Sequence, residues 1–482
     1  MPAPPAARHT PATALAGGTQ GARALRPLID TTLRALARGA TARGGPLPAG
    51  GPDAVAARIR AAVTPALPEH GTGPDEALHT LVQALAEGAA DPADPHCAAH
   101  LHSPPLAVAT AADLAAGALN PSLDSWDQAP SATTLETLVT HALARLAYPH
   151  RPTPDALVTT GGTESNQLAL LLARETAHRA DDEEAHPARR PAPLRIICGA
   201  NAHHSIHRSA WLLGLPAPHV LPTPTGTLDP HDLHTALTGT PQPPPTLVVA
   251  TAGTTDTGQI DPLPHIADLC DTHGARLHID AAYGGPLLFS DTLKTHLTGL
   301  ERAHTITLDL HKLGWQPIAA GLLAVPDTTA LHPLAHQADY LNAPDDTEAG
   351  LPDLLHRSLR TTRRPDILKI AVTLRALGRR GIADLVERVC ATAHHLADLI
   401  DAHPAFELHS RPTISTVLFR PDGADHHTTA RTRRHLLHNG HAVLGRATTP
   451  QGLWLKATLL NPHTRPDDLQ HLLKLVEGHT TR

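Results

Sequence analysis

The spacing of hydrophobic and polar positions changes at about residue 96. Before it, one helix is indicated within residues 1–50, over 27–38, and one or two amphipathic helices lie within 51–95. After it, short runs of apolar and β-branched residues alternate with stretches in which apolar residues recur every three or four positions. The short runs predict buried strands and the longer stretches predict amphipathic helices.

Strands and helices follow one another through the middle of the chain. We predict strands at 156–159, 194–198, 246–251, 276–280 and 305–308, and helices at 134–146, 165–178, 205–213 and 263–273. This alternation predicts right-handed crossovers and a mostly parallel sheet with helices on both faces. Ligands of such sheets bind at the carboxyl ends of the strands. The polar residues that follow the strands are therefore the candidates for chemistry.

The last part of the chain has a different pattern. A long helix is predicted from about residue 375 to roughly residue 400, followed by strand-like runs at 413–420 and 453–459. We therefore predict an N-terminal tail and helical segment (1–95), a large domain (96–375) and a small α+β domain (376–482).

Composition excludes several classes of function. The net charge of −7 comes without a long basic run, which argues against a general nucleic-acid binder. No apolar run reaches the ~18 residues that span a bilayer, and the start lacks the order of a signal peptide. The 37 histidines form no HExxH or paired Cys/His spacing, so no metal site is predicted. Four cysteines lie far apart in the chain, which favours a reducing cytoplasm: Cys97, Cys198, Cys270 and Cys390.

Lysine is rare among the basic residues. Of 39 Lys and Arg residues only five are lysines, namely Lys294, Lys312, Lys369, Lys456 and Lys474. Only lysine can lose its proton near neutral pH and attack a carbonyl group. A lysine that persists in so arginine-rich a chain is therefore a candidate for chemistry that arginine cannot perform.

Three polar motifs follow predicted strands. Residues 161–166 (GGTESN) open a helix, and the free N–H groups of a helix start beside glycines suit a phosphate. Asp280 ends a strand and can face a cationic nitrogen, while Lys312 beside His311 can condense with an aldehyde. Singly, these are equally well a capped helix start, a helix cap and a surface lysine. Together, in this order, they match the needs of pyridoxal phosphate.

These motifs belong to a longer ordered series. The matching segments are 99–102, 122–128, 160–166, 202–205, 250–255, 278–284, 309–312, 339–342 and 358–369. In them the chain resembles the group II pyridoxal-phosphate-dependent amino-acid decarboxylases, from about residue 96 to residue 462. The greatest similarity is to the bacterial branch of lysine and L-2,4-diaminobutyrate decarboxylases.

The resemblance implies a fold and an assembly. The fold would be the α/β fold-type I of these enzymes, a large cofactor domain with a mostly parallel seven-stranded sheet and a small α+β C-terminal domain. In this family the N-terminal helices wrap a second subunit, so a cytoplasmic homodimer is implied. No nucleic-acid or membrane partner is expected.

The resemblance also implies four catalytic residues. Lys312 would bind pyridoxal 5'-phosphate covalently, and Asp280 would pair with the ring nitrogen and keep it protonated. His203 would stack on the face of the ring. Tyr340, on a loop that is mobile in the family, would help to return a proton to the substrate carbon.

Further positions would bind the cofactor without taking part in bond breaking. Gly162 and Thr163, with His311, would hold the phosphate. Thr254 would lie near the other ring substituents, and Ala282 would lie beneath the ring.

The chain departs from the bacterial branch directly after Lys312. Residues 313–321 (LGWQPIAAG) stand where that branch has aromatic residues and then a serine run, so we expect altered hydrogen bonding near the phosphate or the substrate. The predicted reaction is decarboxylation of an L-amino acid, first a basic diamino acid such as 2,4-diaminobutyrate or lysine. Alternatives are a small aliphatic amino acid, a transaminase or carbon–sulfur lyase reaction, and an inactive scaffold.

Overall fold

The computed structural model describes residues 11–184, 194–239, 244–335, 341 and 343–480. Helices account for most of this part of the chain. They are α1 (Gly21–Arg43), α2 (Gly51–Val63), α3 (Pro74–Gly88), α4 (Ala107–Leu119), α5 (Pro130–Ala147), α6 (Gly162–Glu184), α7 (Ser205–Leu212), α8 (Pro230–Thr238), α9 (Leu263–His273), α10 (Leu310–Leu313), α11 (Pro344–Glu348), α12 (Ile367–Asp401), α13 (His426–His438) and α14 (Pro466–Thr480).

Two β-sheets are built from shorter segments. The strands are β1 (Cys97–Ala98), β2 (Asp155–Thr159), β3 (Arg195–Gly199), β4 (His219–Leu221), β5 (Thr246–Thr251), β6 (Arg276–Ala281), β7 (Thr305–Asp309), β8 (Gly321–Val325), β9 (Phe406–Leu408), β10 (Thr416–Pro421), β11 (Val443–Thr449) and β12 (Gly452–Thr458). Short 3-10 helices lie at Gly285–Phe289, Leu293–Leu297, Leu300–Arg302, Thr328–Leu334 and Leu355–Arg357.

The large sheet has seven strands in the order β2-β8-β7-β6-β5-β3-β4. Every neighbouring pair is parallel except the two pairs made by β8, which runs against β2 and β7. Strands β2, β5, β7 and β8 are buried along their whole length because helices cover both faces. Burial on both faces explains why these strands are continuous apolar runs. The predicted fold class, an α/β fold-type I, is confirmed.

The predicted strands of this sheet agree with the structure to within one residue at each end. Two strands were missed. β4 has only three residues, and β8 begins at Gly321 after a stretch rich in Pro, Ala and Gly. Neither carries the run of β-branched residues on which the prediction depended.

The second sheet has five strands in the order β1-β11-β12-β10-β9, with α12, α13 and α14 packed against it. Helix α12 begins at Ile367, earlier than predicted, and its backbone leaves helical geometry at Gly378, where φ is +64°. Glycine tolerates that conformation. The predicted start near residue 375 therefore lies close to this break. The domain boundaries remain a prediction, and β1 joins the C-terminal sheet from residues 97–98.

Candidate active site

A cavity of about 320 Å3 opens at one edge of the large sheet. Residues that follow the carboxyl ends of β2, β3, β5, β6 and β7 line it. This is the edge at which parallel α/β sheets bind ligands. Seven predicted cofactor residues lie together in its wall, namely Gly162, Thr163, His203, Asp280, Ala282, His311 and Lys312. The eighth, Thr254, lines a neighbouring cavity, and the predicted catalytic residue Tyr340 lies outside the described residues.

The start of α6 forms one wall of the cavity. A Cβ atom added at Gly162 would lie 3.1 Å from Cβ of Ala282 and 3.1 Å from Oδ2 of Asp309, so only glycine fits without displacement. One added at Gly321 would lie 2.5 Å from Cα of Gly161, which shows how closely β8 approaches this turn. The first N–H groups of a helix have no partners within the helix, so this wall presents donors to an anion.

Lys312 lies in α10, one turn beyond the end of β7. Its Nζ atom is 3.0 Å from Oδ2 of Asp309, and Nε2 of His311 lies 3.6 Å from the same oxygen. The carboxylate is almost fully buried, whereas the lysine side chain keeps 19% of its exposure and faces the cavity. Burial lowers the pKa of His311, although the nearby Asp309 partly opposes this. A neutral imidazole and an ion-paired ammonium therefore share one carboxylate.

Asp280 ends β6 deep in the cavity. Its Oδ1 accepts a hydrogen bond from the N–H of Ala282 at 3.1 Å, and its Oδ2 accepts one from Nδ2 of Asn166 at 2.8 Å. Sheet register sets Asp280 directly beside Thr307 of β7. A buried carboxylate with firmly held oxygens is suited to face a cationic ring nitrogen.

His203 follows β3 and forms the opposite wall. Its Nδ1 lies 2.8 Å from Oγ of Ser205, and its ring lies 4.1 Å from that of His204, tilted by 47°. Burial lowers the pKa of His203, and the nearby Asp280 carboxylate partly opposes this. A neutral, half-buried imidazole in this place can lie flat against a bound ring.

Thr254 contributes to the loop after β5 rather than to the cavity wall. Its hydroxyl lies 2.7 Å from that of Thr257 and accepts a hydrogen bond from the N–H of Gln259 at 3.1 Å. Thr254 lines a second cavity of about 610 Å3, which shares Asn201, His203 and Thr255 with the first. The predicted contact of Thr254 with the cofactor remains a prediction.

An acid and a lysine stand beside this second cavity. Asp256 is the acidic residue that lines it, and no lysine or arginine does so among the described residues. Nζ of Lys456 donates a hydrogen bond to the carbonyl oxygen of Thr255 at 3.1 Å and lies 3.4 Å from Oδ1 of Asp256. The Lys456 side chain is only 8% exposed, whereas that of Asp256 is 60% exposed and open to a second cation.

The first residues after Lys312 belong to the core of the large domain. Leu313 and Trp315 are buried in the main core, and the indole N–H of Trp315 donates to the carbonyl oxygen of Leu460 at 2.8 Å. None of residues 313–321 lines either cavity. The expectation that this departure from the bacterial branch alters hydrogen bonding near the phosphate or the substrate remains a prediction.

Among the polar residues to which the sequence interpretation gave no role are Asn166 and Asp309 in the cavity wall, and His278, which contacts Asn166. The signal for Asn166 was its spacing, four residues after Gly162 and thus on the same face of α6. His278 and Asp280 alternate along β6 and so share one face of the strand. Asp309 was quoted in a motif but given no role.

The residues present fit pyridoxal 5'-phosphate. Among the described side chains, Oδ1 of Asp309 and Nδ1 of His311 are buried without a hydrogen-bond partner. Buried polar atoms are nearly always paired, so these two point to a polar group from outside the chain. Beside them stand the glycine-lined helix start, a reactive amine and a buried acid, which match a phosphate, an aldehyde and a protonated ring nitrogen.

Comparisons with known proteins agree with this chemistry. The profile described as the pyridoxal-dependent decarboxylase conserved domain matches residues 58–421. An L-2,4-diaminobutyrate decarboxylase from Rhizobium meliloti (strain 1021) is 40% identical over 430 residues, covering 86% of this chain and 84% of the relative. The enzyme of that name from Acinetobacter baumannii is 31% identical over 450 residues, covering 88% and 87%.

Solved structures give the same result. The glutamate decarboxylase domain of the diaminobutyrate-pyruvate transaminase and L-2,4-diaminobutyrate decarboxylase from Vibrio parahaemolyticus superimposes with a TM-score of 0.83 at 32% identity, covering 97% of both chains. The Oryza sativa TDC solved with PLP and tryptamine superimposes with a TM-score of 0.85 at 22% identity, covering 96% of this chain and 99% of that one, and shows a shared fold. The chain belongs to the pyridoxal-dependent decarboxylase family and is a carboxy-lyase that uses pyridoxal 5'-phosphate.

Proposed function

We propose that this carboxy-lyase removes carbon dioxide from L-2,4-diaminobutyrate. The observation that carries the proposal is the 40% identity to the Rhizobium meliloti enzyme over 86% of the chain. The acid beside the cofactor cavity supports it, because a diamino acid brings a second ammonium group that a carboxylate can bind. Lysine and small aliphatic amino acids are the competing substrates.

Each residue of the cavity has a proposed task. Lys312 holds the cofactor covalently, and the helix start at Gly162 and Thr163 binds the phosphate together with His311. When bound, pyridoxal 5'-phosphate supplies an electron sink for the electron pair left as carbon dioxide departs. Asp280 keeps the ring nitrogen protonated, which strengthens that sink.

The remaining side chains shape the space above and below the ring. His203 and Ala282 both line the cavity and would hold the two faces of the ring. Thr254 is proposed to hold the loop that borders the ring. Tyr340 is proposed to deliver a proton to the substrate carbon once carbon dioxide has left.

Asp256 is the proposed binding site for the distal ammonium group. Because its side chain is largely exposed, solvent weakens the pair to about 1 kcal/mol or less. Asp256→Asn should therefore raise KM for L-2,4-diaminobutyrate by about two- to fivefold, with kcat little changed. Glu69→Gln, an exposed acid far along the sequence from the cavity residues, should change neither constant.

The substrate proposal is tested by product analysis. Purified protein with the cofactor would be given L-2,4-diaminobutyrate, lysine and small aliphatic amino acids, and amine, carbon dioxide and keto acid would be measured. Carbon dioxide and amine in equal amounts, with L-2,4-diaminobutyrate turned over best, is the expected result. Preference for another amino acid overturns the substrate assignment, and keto acid without carbon dioxide would indicate a transaminase.

We also propose a cytoplasmic homodimer. Helices α1 and α3 pack together, with Oγ1 of Thr31 donating to Oδ1 of Asp75 at 3.0 Å, yet they leave leucines exposed. These are Leu33, Leu36, Leu81 and Leu85. A second subunit would cover such apolar surface. Sedimentation at micromolar concentration should give twice the mass of one chain, and a monomer would contradict the proposal.

A further inference from the structure

The carboxamide of Asn166 is fully buried and has four polar neighbours. Its Nδ2 lies 2.8 Å from Oδ2 of Asp280 and 2.8 Å from Oγ of Ser205. Its Oδ1 lies 2.8 Å from Oγ1 of Thr307 and 2.9 Å from Nε2 of His278. Both the NH2 group and the oxygen of the amide are therefore hydrogen-bonded. This one group connects Asp280 with Ser205, the neighbour of His203.

The direction of each hydrogen bond follows from the chemistry of the partners. An ionised carboxylate only accepts, so the amide must turn its NH2 toward Asp280 and its oxygen toward His278 and Thr307. Both of these residues must then donate. Burial lowers the pKa of His278, and the nearby Asp280 carboxylate partly opposes this. The Nδ1 atom of His278 lies 2.9 Å from Oγ1 and 3.2 Å from the carbonyl oxygen of Thr305, which holds the ring in place from the other side.

The chain of hydrogen bonds continues from Asn166 through Ser205 to His203 in the other wall of the cavity. Oγ of Ser205 accepts from the amide of Asn166, so its own proton is free to be donated to Nδ1 of His203 at 2.8 Å. The backbone N–H of Ser205 also points at that nitrogen, at 3.3 Å. A nitrogen that accepts from both cannot carry a proton. His203 is therefore held in the tautomer with its proton on Nε2.

We propose that Asn166 is a positioning residue that holds the Asp280 carboxylate and, through Ser205, sets the tautomer of His203. The inference rests on the proposed roles of Asp280 and His203. A hydrogen bond to an ionised group is worth more than one between neutral groups, and the low dielectric of a buried network strengthens it further. Loss of the amide lets the carboxylate rotate and frees the Ser205 hydroxyl at the same time.

The first experiment is a double-mutant cycle on cofactor affinity, measured by absorbance titration of the apoprotein with pyridoxal 5'-phosphate. The four proteins are wild type, Asn166→Ser, Asp280→Asn and the combined variant. Asn166→Ser should weaken affinity by about tenfold or more where Asp280 is intact. In the Asp280→Asn background it should weaken affinity by less than about threefold, because the carboxylate that the amide positions is already gone.

The second experiment needs no cofactor. Nitrogen-15 NMR of the apoprotein should show a neutral His203 protonated on Nε2, with its signal identified by loss in His203→Gln. Asn166→Ser should populate the other tautomer. The control is Asn461→Ser, which removes a buried amide that donates to the carbonyl oxygen of Ala93 at 2.7 Å, outside both cavities. It should lower thermal stability but leave cofactor affinity and the His203 signal unchanged.

Several outcomes would overturn the inference. Equal loss of affinity with and without Asp280, or an unchanged His203 tautomer in Asn166→Ser, removes Asn166 from this role. If Asp280→Asn alone leaves affinity and turnover unchanged, the proposed role of Asp280 fails instead, while the tautomer result still decides on Asn166. Should Asn166→Ser not fold, Thr307→Val removes one donor to the amide at similar volume. It should then weaken affinity by a few-fold, in the same Asp280-dependent manner.

Discussion

The lysines of this chain show how far a single residue type can guide interpretation. Lys312 lies in the wall of the first cavity, and Lys456 is buried beside Asp256 of the second cavity. The Lys369 side chain is fully buried, with Nζ 3.0 Å from Asp366 and 3.3 Å from Asp113. Three of the five rare lysines therefore lie in buried or cavity positions, whereas Lys294 and Lys474 are exposed, so rarity alone could not identify the reactive amine.

The chemistry of Lys312 gives the most direct prediction. Lys312→Ala and Lys312→Arg should both lose the cofactor adduct that borohydride reduces, and turnover should fall by orders of magnitude. Arginine fails because its guanidinium stays protonated and cannot attack an aldehyde. Mass spectrometry after borohydride treatment reads the adduct. Lys474→Ala, at an exposed position, is the control and should keep it. An adduct that survives Lys312→Ala would show that another amine binds the cofactor.

Tyr340 is tested by the balance of products. Tyr340→Phe keeps the ring and removes the hydroxyl, so carbon dioxide release can continue while proton return to the substrate carbon slows. The ratio of amine to carbon dioxide should fall below one, with aldehyde as the side product. A ratio and a rate equal to those of the wild type would mean that the tyrosine only packs.

At the scale of elements, the site is assembled from the ends of strands and the starts of helices. The turn from β2 into α6 is tightly packed. The backbone of Gly321 approaches that of Gly161, and the side chain of Asp309 at the end of β7 lies close to Gly162. Glycine is required there for space, because a side chain at Gly162 would displace Ala282 or the Asp309 carboxylate.

Gly162→Ala tests this requirement. The added methyl would meet Ala282 and the Asp309 carboxylate at 3.1 Å, so the helix start should shift away from the phosphate site. Cofactor affinity should weaken by roughly 10- to 100-fold, the equivalent of about 1–3 kcal/mol of overpacking strain. Gly117→Ala in α4 has no neighbour within 4 Å and should leave affinity unchanged. Titration of the two apoproteins makes the comparison, and equal affinities would show that the turn tolerates a side chain.

At the scale of the whole molecule, we expect acid sensitivity from a half-buried histidine that joins two strands. His304 precedes β7, and its Nδ1 accepts a hydrogen bond from the N–H of Leu277 in β6 at 3.0 Å. Burial lowers its pKa to about 4. The unfolded chain, in which the pKa is about 6.5, therefore binds a proton that the folded chain refuses, and stability falls as the pH drops below about 6.5.

His304→Gln should reduce this sensitivity, since an amide oxygen can accept the same hydrogen bond without titrating. Between pH 7 and pH 5 the variant should lose about 1–2 kcal/mol less unfolding free energy than the wild type. Urea unfolding at the two pH values measures the difference. His70→Gln, an exposed histidine, should behave as the wild type. If His304→Gln loses as much stability as the wild type, protonation of His304 does not contribute to acid unfolding.

The sequence alone determined the strands that are buried on both faces, the order of the motifs along them and the identity of the cofactor. These properties can be read from short segments of sequence. A strand buried on both faces is a continuous apolar run, and a phosphate-binding helix start is a short Gly-rich motif. Only the tertiary structure decided which polar residues share a hydrogen-bond network. Asn166 and the pair His278 and Asp280 come from two distant segments, and the packing of α6 on β6 brings each of the pair within 3 Å of the Asn166 amide. The tertiary structure also buried Leu313 and Trp315, because the indole of Trp315 is held by Leu460, far along the chain.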